Sequence, residues 1–378
     1  MNYKPFCSTE IIFLDKKEMV QNLLDLNSKN IVLIMSKSSV LRWDLSSFIM
    51  ELEKNCRLLN GKLIWINKIN SNPTQLDIIK ALGEIGNNKI NKIIAFGGGS
   101  SIDLAKGISA FHSIGEKNYT IDKITQRIKK NNYNKDFIDI IALPTTSGTG
   151  SEVTQWATIW DVDKISKFSI DSPNLKPKIA IIVPEFTLSL SKEMTLSSGL
   201  DAMCQGIESY WSKHTTPIVQ EIAYRAVKII IQNLRKSIEN PQDITIRIKL
   251  CKASVLAGLA FSKTRTTACH SLSYPLTMLY GIPHGLAVAI TLNEVGQINK
   301  GNFPNDKELY NLFFDYGGID KWINMVCKDV VEMRLTAFGI SSKDIPLIVD
   351  NAFAEGRMYN NPVNLTRKDV VKILNSIL

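Results

Sequence analysis

Four short apolar runs constrain this chain more than any other feature. They are residues 31–35 (Ile-Val-Leu-Ile-Met), 63–66 (Leu-Ile-Trp-Ile), 92–96 (Lys-Ile-Ile-Ala-Phe) and 138–143. Helical patterns fill the intervals: one from near Asp15, one from about Ser39 to Leu59, and one opened by Asn72-Pro73-Thr74 and running to about Ile85. A strand that is apolar on both faces has to be covered on both faces, which is the condition of a parallel sheet wrapped by helices. Shorter β-rich pieces follow at 153–160, 167–170 and 179–183. Beyond Leu188 only helical periodicity is left, as at 218–238, 244–261, 320–337 and 367–378. A chain of 378 residues exceeds one small core. The expected fold class is therefore α/β plus all-α: a doubly wound parallel-sheet domain over residues 1–187, then an all-helical domain over residues 188–378.

Composition excludes several alternatives. No apolar run is long enough to span a bilayer, and the N-terminus lacks the apolar core of a secretory signal, so the expectation is a cytoplasmic protein without a membrane partner. The six cysteines are scattered, with no Cys-x-x-Cys pair to suggest a zinc knuckle or a disulfide framework. The net charge of +9 is compatible with a nucleic-acid partner, with compositional drift, or with a field that gathers a small anion. Lysines are spread along the chain, and the one obvious basic cluster is Arg127-Ile-Lys-Lys130, so no nucleic-acid partner is expected.

Gly97-Gly98-Gly99-Ser100-Ser-Ile-Asp103-Leu-Ala-Lys106 joins the third strand to a helix. Successive glycines let backbone N–H groups approach a phosphate, and the helix N-terminus adds partial positive charge. Pro144-Thr145-Thr146-Ser-Gly-Thr149-Gly-Ser ends the fourth strand at the same carboxyl edge, where open α/β sheets bind ligands. The first strand ends in Ser36-Lys37-Ser38 where dinucleotide folds often carry an acidic residue. Hydroxyls and a lysine accept a 2′-phosphate that a carboxylate would repel, which favours NADPH over NADH.

In the helical half, Asp201 and Gln205 share a helix face, and His270 and His284 are two of only four histidines. Two imidazoles and a carboxylate make a plausible site for catalytic Fe2+ or Zn2+. Residues so distant in sequence need not meet, and two histidines in a helical core is the alternative.

These stretches, together with Gly199-Leu-Asp201-Ala and Glu152-Val-Thr, resemble the iron-containing (group III) alcohol dehydrogenases of the dehydroquinate-synthase-like fold, over nearly the whole chain. The resemblance implies an N-terminal nucleotide-binding domain, a C-terminal metal domain, and a homo-oligomer such as a dimer. It implies that Gly98, Gly99 and Ser100 meet the pyrophosphate, that Asp103, Thr145, Thr146 and Thr149 line the cofactor site, and that Asn72 and Lys167 contact cofactor. Asp201, His270 and His284 match metal ligands. The family's usual fourth ligand, a histidine, is replaced by Gln205, and another histidine near the nicotinamide is replaced by Tyr274. Tyr274 can relay a proton or shape the pocket, and Asp103 joins it as a candidate catalytic group.

The run Phe261-Ser-Lys-Thr-Arg265-Thr-Thr-Ala-Cys-His270 resembles the phosphonoacetaldehyde reductase branch of that family. If one helix carries both residues, Arg265 faces the same site as His270 and can pair with phosphonate oxygens, with Thr149 and Tyr274 as further substrate contacts. The implied reaction is metal-dependent NAD(P)H reduction of a small anionic aldehyde, phosphonoacetaldehyde to 2-hydroxyethylphosphonate. The alternatives are a reductase for another short aldehyde or primary alcohol, a lyase of the dehydroquinate-synthase type, and a metal-depleted, non-catalytic relative.

Overall fold

The computed structural model describes residues 6–113, 118–134, 136–161, 167–353 and 356–378. It divides into two compact units, one of residues up to Thr146 with Ser151–Thr187, the other of Ser147–Gly150 with Leu188–Leu378.

The first unit is built on a six-stranded parallel sheet in the order β1-β8-β5-β4-β2-β3. The strands are β1 (Glu10–Phe13), β2 (Asn30–Ile34), β3 (Lys62–Ile66), β4 (Lys92–Gly97), β5 (Asp139–Pro144) and β8 (Ile179–Ile182), while β6 (Trp156–Trp160) and β7 (Lys167–Asp171) form a separate antiparallel pair. Alternation along each strand splits the sheet's side chains between two cores. Val32, Ile34, Ile93, Ala95, Ile140 and Ala142 lie in one, with the helices Gln75–Ile85 and Gly99–Phe111. Ile31, Leu33, Ile94, Phe96, Ile141 and Leu143 lie in the other, with the helices Lys16–Leu24 and Ser46–Leu58. This is why the runs read as apolar throughout rather than alternating. Successive strands lie on opposite sides of β2, since β3 pairs with one edge and β4 with the other. The switch point between β2 and β4 is where such sheets bind ligands.

Three local outcomes differ from the periodicity. The pattern from Ser39 to Leu59 is two helices, Lys37–Arg42 and Ser46–Leu58, because Asp44 adopts a left-handed φ of 48° between them. The pattern at 320–337 is the helix Ile319–Cys327 and a short 3-10 turn Leu335–Phe338, separated at Asp329 with φ 64°. The β-rich piece at 153–160 starts as a 3-10 turn, Ser151–Val153, and becomes strand only from Trp156.

A buried polar network fixes that turn to the helix Gly99–Phe111. Lys106, fully buried, donates from Nζ to the Ser151 carbonyl (2.7 Å), Ser151 Oγ (2.9 Å), Thr154 Oγ1 (3.3 Å) and the Trp156 carbonyl (2.8 Å). Burial pushes Lys106 down to about 8, and pushes the neighbouring Glu152 carboxyl up to about 7.

The second unit is helical. Lys192–Trp211, Pro217–Glu239 and Ile244–Thr264 pack on one another, and Ala268–Tyr280 and His284–Ala289 follow. No helix among the described residues is long and apolar enough to cross a membrane.

Because Glu152 holds its proton to a higher pH in the folded state than in the unfolded state, folding binds a proton between about pH 4.5 and 7, and stability falls as pH rises through that window. Urea denaturation at pH 5 and pH 6.5 should show Glu152→Gln losing less stability across the interval than wild type.

Candidate active site

Adjacent strands β2, β4 and β5 deliver three loops to one edge of the first unit. The register Gly97↔Pro144 sets the glycine-rich turn beside Thr145 and Thr146, and Thr145 N–H donates to the Gly97 carbonyl at 3.0 Å. Gly97 has φ 153°, and a Cβ there would lie 2.1 Å from Ser101 Oγ, so the turn requires glycine. Gly98 precedes the first turn of the helix Gly99–Phe111 and lies against Thr146. Ser100 Oγ accepts from the Asn72 N–H at 3.2 Å, which ties in the loop after β3. Ser36 caps the helix that Lys37 and Ser38 begin, with Oγ accepting from Ser39 N–H at 3.1 Å and sharing a hydrogen bond with Ser38 Oγ at 3.0 Å. Asp103 faces inward. Its Oδ1 accepts from Ser151 Oγ (2.7 Å) and its Oδ2 from Thr158 N–H (3.1 Å). Burial raises the Asp103 carboxyl, and the charge of Lys106, these two bonds and the charge of Lys167 oppose it.

In the second unit, ligand atoms of Asp201, His270 and His284 all lie within 4.8 Å of one another. His270 Nε2 is 3.3 Å from Asp201 Oδ1. Two ligands bound at about 2.0–2.1 Å to a tetrahedral ion stand about 3.4 Å apart, so this spacing suits coordination by both. Gly285 makes the convergence possible. A Cβ there would lie 1.8 Å from the Ser197 carbonyl, so only glycine lets the helix that His284 opens press onto the helix carrying Asp201.

Glu208 completes the arrangement from behind. It lies two turns beyond Asp201 on the same helix and is fully buried. Its Oε2 is hydrogen-bonded to His270 Nδ1, and its Oε1 accepts from Thr267 Oγ1 (2.9 Å), Cys269 N–H (2.8 Å) and His270 N–H (3.2 Å). A carboxylate on Nδ1 fixes the tautomer whose Nε2 lone pair faces a metal. Burial alone would lower the imidazole's proton affinity, but Glu208 and then Asp201 raise it to about 10. The same imidazole holds the Glu208 carboxyl below the ordinary glutamate range, against the upward pull of burial. Glu208 was not singled out from the sequence, although its place on the Asp201–Gln205 stripe was a usable signal.

Gln205 donates from Nε2 to the Thr149 carbonyl at 3.4 Å, and its Oε1 is buried with no hydrogen-bond partner among the described residues. An orphaned buried oxygen one turn from Asp201 fits a site awaiting a cation. The donor set therefore fits a divalent metal.

Arg265 does not share a helix with His270. The helix Ile244–Thr264 ends there, and the next begins at Ala268. Arg265 has φ 58° and ψ 179°, a conformation nearly confined to glycine. Its Nη1 nevertheless lies beside Gly356, 3.0 Å from where a Cβ would stand. Tyr274 stacks on His284, with ring centroids 6.3 Å apart at 11°, and its hydroxyl accepts from Arg357 Nε at 3.2 Å. Arg357 was also missed, since nothing in Gly356-Arg-Met-Tyr-Asn marks it.

A parallel α/β unit with a glycine-rich phosphate edge, joined to a helical unit with an Asp-His-His cluster, defines a metal-dependent dehydrogenase architecture. Residues 9–184 match the iron-containing alcohol dehydrogenase family, and residues 195–378 match the C-terminal part of the Fe-containing alcohol dehydrogenase family. The chain belongs to the iron-containing alcohol dehydrogenase family and is an oxidoreductase. It is 31% identical to the phosphonoacetaldehyde reductase of Streptomyces viridochromogenes, over 81% of either chain. In solved structures it is similar to the sulfoacetaldehyde reductase of Bifidobacterium kashiwanohense in complex with NAD+ (TM-score 0.86, 26% identity, 100% of this chain and 99% of that one). It is also similar to an iron-containing alcohol dehydrogenase of Thermotoga maritima (TM-score 0.84, 28% identity, 100% and 99%).

Metal affinity, measured by competition against a chelating dye, should fall roughly 10- to 100-fold in Glu208→Gln, which leaves the Asp201 and histidine donors in place. Gln205→His should tighten zinc or iron binding, because an imidazole replaces a weaker neutral oxygen.

Proposed function

We propose that this oxidoreductase reduces a two-carbon anionic aldehyde with NAD(P)H, phosphonoacetaldehyde being the best-supported substrate. The observation that carries the reading is the placement of Tyr274 and two arginines, Arg265 and Arg357, on the His284 side of the Asp-His-His cluster. The relatives' names agree with it: phosphonoacetaldehyde and sulfoacetaldehyde are both two-carbon aldehydes bearing a phosphonate or sulfonate group.

In this reading Asp201, His270 and His284 hold Fe2+ or Zn2+, with Gln205 Oε1 one turn from Asp201 as a further neutral oxygen. The ion, when bound, supplies Lewis-acid polarisation of the aldehyde oxygen, and the reduced nicotinamide supplies the hydride. The chain's own residues bind, orient and move the proton. Gly98, Gly99, Ser100, Thr145, Thr146 and Asn72 hold the cofactor's phosphates and sugars at the sheet edge. Ser36, Lys37 and Ser38 favour NADPH, because hydroxyls and an ammonium accept a 2′-phosphate. Lys167 and Asp103 brace the same edge, and Thr149 positions Gln205 through its carbonyl. Glu208 keeps the His270 Nδ1 proton in place, which leaves Nε2 as a donor. Tyr274, whose ring stacks on His284, is the candidate to pass a proton to the nascent alcohol oxygen. Arg265 holds the anionic end of the substrate. The assembly that the family resemblance supports is a homo-oligomer.

NADPH oxidation should be faster in kcat/KM with phosphonoacetaldehyde than with propanal, an uncharged aldehyde of similar size, and faster with NADPH than with NADH. Equal or lower kcat/KM for phosphonoacetaldehyde contradicts the substrate assignment.

A further inference from the structure

We infer that Arg357 is a specificity-determining residue: its guanidinium, with Arg265 beside it, forms an oxyanion-binding subsite for the phosphonate or sulfonate end of the substrate. The inference rests on the reading of an anionic aldehyde given above and adds a residue, on a separate segment, that no sequence motif marks.

Three observations meet at this point. First, Arg357 is half-buried, and among the described residues it pairs with no carboxylate. Its Nε donates to the Tyr274 hydroxyl (3.2 Å) and its Nη1 to the Gly356 carbonyl (3.0 Å), both neutral acceptors. A guanidinium carries five N–H donors, so these two bonds leave most of the fork available. Among the described residues the acceptors of Arg357 are neutral, so an anionic ligand would gain a charge-assisted bond from this half-buried cation.

Second, Arg265 brings a like charge to the same place, with Nη1 next to Gly356, whose carbonyl Arg357 engages. An oxyanion bound at this point meets two guanidiniums rather than one, each able to donate charge-assisted hydrogen bonds. Arg265 holds its side chain there at the expense of a backbone conformation that non-glycine residues rarely adopt.

Third, both segments are pinned. Asn360 Nδ2 donates to the Gly356 carbonyl (2.9 Å) and to the Thr266 carbonyl (3.0 Å), which clips the turn bearing Arg357 to the link bearing Arg265. Tyr274 then sets the distance to the metal cluster, since it bonds Arg357 at its hydroxyl and stacks on His284 through its ring. One aromatic ring thus separates the cation from a candidate metal ligand. That spacing suits a short substrate with a carbonyl at one end and a tetrahedral oxyanion at the other.

The test compares wild-type holoenzyme with Arg357→Met and Arg357→Lys. The readouts are kcat and KM for phosphonoacetaldehyde and propanal, and the Kd of ethylphosphonate, an unreactive two-carbon probe. Arg357→Met should lose roughly 10- to 150-fold in kcat/KM for phosphonoacetaldehyde, chiefly through KM, as expected for a charge-assisted hydrogen bond. Whatever it loses on propanal through the Tyr274 contact, its loss on phosphonoacetaldehyde should be at least roughly 5-fold larger, the least that an added interaction with the anion contributes. The Kd of ethylphosphonate should weaken in step, and Arg357→Lys should recover part of the loss, because charge survives without the fork. An equal loss on both aldehydes overturns the assignment, since it would mean that Arg357 only positions Tyr274. Unchanged ethylphosphonate binding in Arg357→Met overturns it as well. If Arg357→Met is unfolded by circular dichroism, the comparison rests on Arg357→Lys, whose ethylphosphonate Kd must rise while propanal turnover persists. A wild type that binds ethylphosphonate through Arg357 but does not prefer phosphonoacetaldehyde would keep the subsite and refute the reaction.

Discussion

The bond between the buried Glu208 carboxylate and the His270 imidazole is the constraint on which the second unit's chemistry depends. Glu208 takes four hydrogen bonds from the segment Thr267–His270, so it fixes that segment's backbone and its ring together. Two carboxylates, Asp201 and Glu208, flank one imidazole inside a helical core. Burying such charge is unfavourable unless it is compensated, and an imidazolium compensates only one carboxylate. Asp201 and His270 Nε2 are the atoms that would hold a divalent cation, whose charge would offset the second carboxylate. The helix Lys192–Trp211 therefore carries two buried carboxylates, Asp201 and Glu208, on an otherwise largely apolar buried surface. Gly285 shows the same pressure from the other side, since only glycine permits the contact that delivers His284.

The first unit reaches its function by a different route. Its residues at the sheet edge are held by backbone geometry rather than by charge. The β4–β5 register aligns Gly97 with Pro144, and the crossover at β2 opens the switch point. Lys106 lies buried behind that edge and ties the glycine-rich helix to the turn after β5, with Glu152 buried on that turn.

Much of the fold was legible because period is a strong signal. The four apolar runs correspond to β2, β3, β4 and β5, and their two-faced hydrophobicity anticipated the two cores. The helix breaks at Asp44 and Asp329 were not read, because aspartate favours the left-handed region only weakly and a single such residue inside a helical period is a faint mark. The same blindness misplaced Arg265, which reads as the turn of a helix before His270 and is in fact the residue at which that helix stops. At the site, Asp201, His270 and His284 do converge, and they were nominated by ligand type and family resemblance rather than by spacing. Glu208 stood on the same helical stripe and could have been found. Arg357 could not, because it reaches Tyr274 only through a tertiary contact between distant segments.

The central claim is that the second unit holds one divalent ion through Asp201, His270 and His284. It is tested most directly by mass-spectrometric metal analysis of protein purified without chelator and then equilibrated with Fe2+ or Zn2+ and desalted. The account predicts one ion per chain in the wild type, and none retained when His270 and His284 are both replaced by alanine in a variant that keeps its helical circular dichroism. No retained metal in the wild type, or full retention in that variant, would contradict it.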